Sequence, residues 1–216
     1  MKHLRPASET DAADAEGTRR RPGGRTRRIR LQVIEAVLLE LVETGYDALT
    51  VDAVAARAGV HRTTVYRRWG DIGGLLADVV DAAAGADWQP ENTGSLRGDL
   101  AALNRQIHLV LTGEPPVTAA LIAASFRSEQ ASRALRRFWD ERYTRFEILV
   151  HRAAERGEIP ARTHARHLLV AATAPLYHHL VLLRMPPDPG LPDRAATAAA
   201  VAAAAGAFTE PPPDAP

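Results

Sequence analysis

Residues 61–68 read His-Arg-Thr-Thr-Val-Tyr-Arg-Arg, a run whose side chains can read and grip a polyanion. Wound as a helix at 100° per residue, the run and Trp69 divide into two faces. Val65 and Trp69 stand one turn apart and point inward. Thr63 and Arg67 lie roughly opposite them, with Thr64 and Tyr66 on the flanks, and Arg62 reaches forward from the helix start. An arginine can bond a guanine edge bidentately, and a threonine can bond a base edge or touch a thymine methyl. Tyrosine and arginine can also hold phosphates, which fixes position without reading sequence. A second basic feature precedes it: seven Arg and no acid between residues 19 and 30. Such a run suits an arm that tracks a phosphate backbone or enters a minor groove, with Arg27 and Arg28 at its inner end. The same composition also fits a solvated, unstructured tail.

These side chains need a scaffold that presents them. Thr50 is placed to cap a short helix in which Val51, Val54 and Ala58 form one buried stripe. Gly59 then supplies a turn position that excludes bulk, and the helix of residues 62–69 follows. Helix, glycine-centred turn and helix make the helix-turn-helix pattern. The rest of the chain also reads as helix, because alternating β-branched runs are missing and the breaks fall at helical lengths. The spacing predicts helices at 26–44, 51–58, 62–69, 71–86, 96–112, 115–126, 129–157, 163–185 and 192–208. The fold class is therefore all-α: a three-helix head at residues 25–70 and a larger helical body at 71–208, between disordered ends at 1–24 and 209–216.

Residues 59–71, Gly-Val-His-Arg-Thr-Thr-Val-Tyr-Arg-Arg-Trp-Gly-Asp, follow a longer amphipathic helix and resemble the TetR family of bacterial transcriptional regulators over residues 27–80. The resemblance implies a homodimer, a DNA-binding head and a variable ligand-binding body that controls the head. It also implies that residues 62–69 form the recognition helix, with His61, Arg62, Thr63, Thr64, Tyr66 and Arg68 at contact positions and Thr50 at a phosphate contact. Two features depart from the family pattern. His61 stands where a small capping residue is common, which leaves the helix start to be capped by water or by the DNA. The stretch Asp71-Ile-Gly-Gly74 carries no cation where a phosphate-gripping lysine is common, and its two glycines predict a loosened start to the fourth helix.

The formal net charge of the 216-residue chain is only +1, from 27 Lys+Arg and 26 Asp+Glu. Residues 1–70 hold 13 basic and 9 acidic side chains and are net +4, whereas residues 71–216 hold 14 and 17 and are net −3. The near-neutral total is a cancellation between a basic head and an acidic body. The absence of cysteine excludes disulfides, a thiol nucleophile and thiolate-bound zinc. No nucleophile elbow, phosphate loop or HExxH pattern is present, and His164, His167, His178 and His179 have no clustered acid to complete a metal site. No enzyme, cofactor or metal is expected. Residues 1–20 carry four acids and no apolar run, and no stretch is long and apolar enough to span a bilayer, so a cytoplasmic chain without membrane contact is expected.

In the body, residues 129–157 place Phe138, Trp139, Arg142, Tyr143 and Phe146 at helical spacing. This aromatic stripe reads either as core or as the wall of an apolar small-molecule pocket. Trp88 and Phe126 are candidates to close the pocket, and Arg142 or His108 to anchor a ligand. Near the C-terminus, Leu176, Leu180 and Leu183 widen one apolar face, and Ala199 and Ala203 belong to an alanine-rich helix suited to close packing. These five residues are candidates for a four-helix dimer interface, or for burial within one protomer.

The expectation is a repressor bound to double-stranded operator DNA and released by a small, largely apolar effector. Two other readings remain: a DNA-binding regulator whose body only dimerises, and a histidine-based metalloenzyme with an accessory head.

Overall fold

A computed structural model describes residues 24–84 and 89–209. Trp88, the arginines at 19–21 and the tail after residue 209 lie outside the described residues. Among those described, the elements are all helical, apart from one isolated bridge between Thr163 and Thr209. In order they are α1 (Gly24–Thr44), α2 (Val51–Arg57), α3 (Arg62–Trp69), α4 (Ile72–Ala84), α5 (Leu96–Thr112), α6 (Val117–Ser125), α7 (Glu129–Glu155), α8 (Ala165–Tyr177) and α9 (Leu191–Ala204). No single helix among the described residues is long and apolar enough to cross a membrane.

Local chemistry explains most boundaries. The hydroxyl oxygens of Thr50, Ser95 and Ser128 accept hydrogen bonds from the backbone N–H groups of Ala53, Gly98 and Ala131, satisfying donors left over in a first helical turn. Between α2 and α3, Gly59 has φ +64°, and after α3 Gly70 has φ +78°. Both lie in the left-handed region, where a Cβ is unfavourable. The helix predicted for residues 163–185 instead ends at Tyr177 and continues as one π-helical turn, His178–Leu182. Pro175 sits inside α8 and has no N–H to donate, and just beyond it the Leu183 N–H bonds to the His178 carbonyl at 2.9 Å, a widened five-residue register.

Two apolar cores form. The first joins Val33, Val37 and Leu41 of α1 to Val54 of α2 and Val65 of α3, and also takes in Leu75, Leu76 and Val79 of α4. It extends to Ala124 of α6 and Ala131 of α7. The second joins Leu100 and Leu103 of α5, Phe146 and Leu149 of α7, Leu168, Leu169 and Leu176 of α8, and Ala196 and Ala203 of α9. Packing is therefore continuous across residue 70, because α4 inserts the face that begins at Leu75 into the head's core.

Three of the residues assigned to a dimer interface are buried inside their own protomer. Leu176 and Ala203 have no exposed surface, and Ala199 retains 4%. Sequence periodicity cannot tell the two sides of an alanine-rich helix apart, and α9 turns this side to α5 and α8. The exposed valines of these helices lie on other faces: Val201 of α9, which is 65% exposed, and Val170 of α8. Leu180 is half-buried and Leu183 is exposed.

Candidate nucleic-acid interface and ligand chamber

Helix α3 projects from the head with Val65 buried beneath it and Arg62, Thr63, Tyr66, Arg67 and Arg68 exposed. Thr64 is half-buried on the flank. His61 caps this helix itself, which corrects the expectation of a cap from water or DNA. Its Nδ1 accepts from the Thr63 N–H at 3.3 Å and lies 2.8 Å from the Thr63 hydroxyl. An imidazole acceptor thus replaces the small hydroxyl or carboxylate usual at this position. Arg62, Tyr66 and Arg67 stand on the outer surface, whereas the Arg68 guanidinium turns back. It donates to the Thr26 carbonyl at 3.4 Å and lies 4.9 Å from the centroid of the Trp69 ring. That contact ties the first turn of α1, where Arg27 and Arg28 are exposed, to the end of α3. Thr50 is exposed at the start of α2.

The junction between α3 and α4 is tight, which corrects the expectation of a loosened helix start. Asp71 Oδ1 accepts from the Gly74 N–H at 2.9 Å and caps α4. A Cβ on Gly74 would lie 2.0 Å from the Trp69 carbonyl oxygen, so glycine there permits a backbone approach that no other residue allows. One turn further along α4, Asp78 is the meeting point of three helices. Arg30 of α1 donates to both carboxylate oxygens, with Nη2 to Oδ1 at 2.8 Å and Nε to Oδ2 at 3.0 Å. The indole N–H of Trp69 donates to Oδ2 at 2.8 Å. Burial works to raise the Asp78 pKa, but the bonds from Arg30 and Trp69 outweigh it and hold the carboxyl below its ordinary value.

A second contact joins head and body. Arg127, after α6, pairs with Asp47 at 2.7 Å and places its guanidinium 5.8 Å from the centroid of the Tyr46 ring. The Tyr46 hydroxyl donates to the Arg127 carbonyl at 3.3 Å.

Beyond these contacts, α4, α5, α6, α7 and the end of α8 line a partly open chamber of about 410 Å³. Phe138, Trp139 and Arg142 of the predicted aromatic stripe line it, beside Val80 of α4, Ile107 of α5 and Tyr177 at the end of α8. The Trp139 indole makes edge contacts with Phe138 and with Tyr177, ring centroids 5.1 Å apart in each case. The Arg142 guanidinium lies 5.1 Å from the Phe138 ring centroid and 5.8 Å from that of Phe146. Burial makes the charged guanidinium costly here and lowers its pKa from the ordinary value.

Other expected pocket residues lie elsewhere. Phe146 is 1% exposed and belongs to the second core, because it faces α5 and α8. Phe126, at the end of α6, is 73% exposed and lines a separate outer groove that shares Trp139 and Tyr177 with the chamber. Tyr143 also lines this groove and bonds Thr173 at 3.1 Å. His108 is off the α5 stripe of Leu103, Gln106, Ile107, Val110 and Leu111 that lines the chamber. The apolar period of α5 was the available signal for that stripe. Thr118 of α6 and Val80 of α4 gave no such signal, since only tertiary packing brings them to the wall. At the start of α8, His164 Nδ1 accepts from the His167 N–H, and the two rings stack with centroids 3.7 Å apart.

Comparison with known proteins places these features in one family. Residues 33–79 match the sequence profile of bacterial regulatory proteins of the tetR family, and residues 90–199 match that of a tetracyclin repressor-like C-terminal domain. The chain is 31% identical over 168 residues to the HTH-type transcriptional regulator AqdR of Rhodococcus erythropolis, an alignment covering 76% of this chain and 80% of that one. It is 33% identical over 153 residues to the DNA-binding transcriptional repressor TetR of Mycobacteroides abscessus, covering 69% and 80%. Among solved structures, a transcriptional regulator from Pseudomonas aeruginosa superposes with a TM-score of 0.66 at 21% identity, covering 88% of this chain and 95% of that one.

Proposed function

The chain belongs to the TetR family of bacterial transcriptional regulators, and we propose that it acts as a homodimeric repressor released from its operator by a small molecule bound in the chamber. DNA binding by the helix-turn-helix head is the family's shared function. The observation that carries the ligand-controlled reading is the position of α4. One turn of this helix is clamped to the recognition helix through Asp78 and Trp69, and the next presents Val80 and Ala83 to the chamber. A molecule that fits the chamber better when α4 is displaced shifts the population toward heads wrongly spaced for DNA.

In the bound state each α3 enters the major groove, and twofold symmetry spaces the half-sites by whole helical turns. Arg62, Thr63, Tyr66 and Arg67 face the groove, His61 sits at its edge, and Thr64 and Arg68 flank it. Thr50, Arg27 and Arg28 hold phosphates. The test is a gel shift of the pure protein on its own promoter region and on random DNA, with and without candidate effectors. Binding that shows no preference for the promoter defeats the reading. Arg62→Ala is expected to weaken promoter binding by about 1–3 kcal/mol and to relax selectivity at one base position. An equal loss on every sequence would make Arg62 a phosphate contact instead. Affinity is expected to fall with salt at a logarithmic slope of about −0.9 per phosphate neutralised.

The two units of a dimer meet, in this reading, through the exposed faces of α8 and α9 around Val170 and Val201. Val201→Arg would place a charge in that contact without touching the protomer core. It is expected to yield a monomer in sedimentation velocity with an unchanged helical spectrum. A persistent dimer would locate the interface elsewhere.

A further inference from the structure

The chamber's chemistry goes beyond its size, and the inference rests on the reading of the chamber as the effector site. Arg142 contributes a guanidinium to the wall, and no carboxylate lines it among the described residues. The other polar groups that reach the wall are Gln106, Thr118, the indole of Trp139 and the phenol of Tyr177. Arg142 and Tyr177 lie close enough that each influences the other's proton equilibrium. Burial raises the Tyr177 pKa from its ordinary value, so this phenol stays protonated and offers an O–H beside the guanidinium. At neutral pH Arg142 and Tyr177 therefore present hydrogen-bond donors of positive and neutral charge to a chamber whose lining is mostly apolar. The remaining surface is aliphatic and aromatic, supplied by residues such as Leu103, Ile107, Leu135 and Phe138.

A volume of about 410 Å³ falls within the range of sites for drug-sized molecules, roughly 300–1,000 Å³. We propose that the chamber takes an amphipathic organic anion, a carboxylate on a medium-length or ring-bearing apolar body, with the charged end on Arg142 and Tyr177. Bonds from a guanidinium to a carboxylate are charge-assisted and gain strength where water is excluded. A ligand ammonium would surrender its hydration to face a like charge, and a neutral alcohol would forgo the charge-assisted bond. The cation–π contacts of Arg142 with Phe138 and Phe146 help to hold the guanidinium in place.

The test uses three probes that share one chain and differ in the head: decanoate, decanol and decylammonium. Their binding to the full-length protein is measured by titration calorimetry below the concentrations at which they aggregate. Decanoate is expected to bind at least about tenfold more tightly than decanol, a difference of about 1.4 kcal/mol, and decylammonium more weakly than either. In Arg142→Gln the decanoate advantage is expected to vanish while decanol affinity stays within about twofold of the wild type. Arg142→Lys, which keeps the charge, is expected to retain a preference for the anion.

Equal binding of decanoate and decanol by the wild-type protein overturns the proposal. So does tighter binding of decylammonium, an unchanged preference in Arg142→Gln, or no binding of any probe. The wild-type series decides even if Arg142→Gln fails to fold. A parallel gel shift with decanoate separates the two readings. Arg142-dependent binding without release from the promoter leaves the anion preference standing and removes effector release by this ligand. Release by a cationic or neutral molecule, with no anion preference, does the reverse.

Discussion

Gly74→Ala is expected to abolish promoter binding and to lower the stability of the head. The methyl group would sit 2.0 Å from the Trp69 carbonyl oxygen, and that oxygen belongs to backbone, so no side-chain rotation can relieve the overlap. Relief requires α3 and α4 to separate at their junction. That movement draws Trp69 away from Asp78 and tilts the face carrying Arg62 and Arg67. Overpacking of this kind costs about 1–3 kcal/mol when neighbours can adjust, and the upper end applies where the neighbour is main chain. The checks are a thermal melt and fluorescence anisotropy on promoter DNA. Alanine is otherwise the better helix former by about 1 kcal/mol. If Gly74→Ala therefore raised the melting temperature, the close approach would be shown to be unimportant. Gly73 offers a graded comparison. A Cβ there meets the Ser128 hydroxyl at 3.0 Å and the Gln130 side chain at 3.1 Å, both of which can move, so Gly73→Ala is expected to be milder.

Asp78→Asn is expected to cost about 2–3 kcal/mol. Removing one partner of a buried pair typically costs 3–5 kcal/mol, and this pair is partly solvated, with the Arg30 and Asp78 side chains 33% and 23% exposed. The substitution removes the charge that holds Arg30 and weakens the acceptor of the Trp69 indole N–H. The effect has a defined pH dependence. The Asp78 carboxyl titrates lower in the folded protein than in the unfolded chain. The stabilisation it provides is therefore complete above the unfolded value, about 3.9, and is lost as pH falls through the lower folded value. The stability gap between wild type and Asp78→Asn is expected to be constant from neutral pH down to about pH 5 and to close below about pH 4. A gap that widened on acidification would show that another group carries the effect. Because Asp78 connects the recognition helix to the helix that lines the chamber, promoter binding by the variant is also expected to respond less to effector.

The two substitutions act on opposite ends of one short connection. Gly74 sets how closely α3 and α4 approach, and Asp78 fixes their relative rotation by bonding α1 and α3 at once. The pairing of Arg127 with Asp47, and its contact with Tyr46, add a route from α6, which also lines the chamber, to the loop before Thr50. Under the proposed ligand control, occupancy of the chamber would have two mechanical paths to the head, one to the recognition helix and one to the start of α2.

Most of the helices and their breaks, though not the π-helical turn after Tyr177, and the outward face of α3 were legible in the sequence, because each depends on neighbours within a few residues. Thr50 caps α2 through a bond three residues away, and Gly59 and Gly70 turn the chain where their positive φ angles are needed. Val65 and Arg67 fall on opposite faces of α3 by helical rotation alone. Tertiary structure decided what lies against each apolar stripe. Leu176, Ala199 and Ala203 have the composition of an interface and are buried within the protomer, while Val170 and Val201 face outward. Phe146 and Phe138 sit two turns apart on one helix, yet one packs in the core and the other lines the chamber. The two glycines at the start of α4 looked like a weakness when weighed by helix propensity. The position of the Trp69 carbonyl, set by how α3 docks on α4, makes Gly74 a requirement. Periodicity specifies that a face must be buried, and only the packing of helices distant in sequence specifies against what.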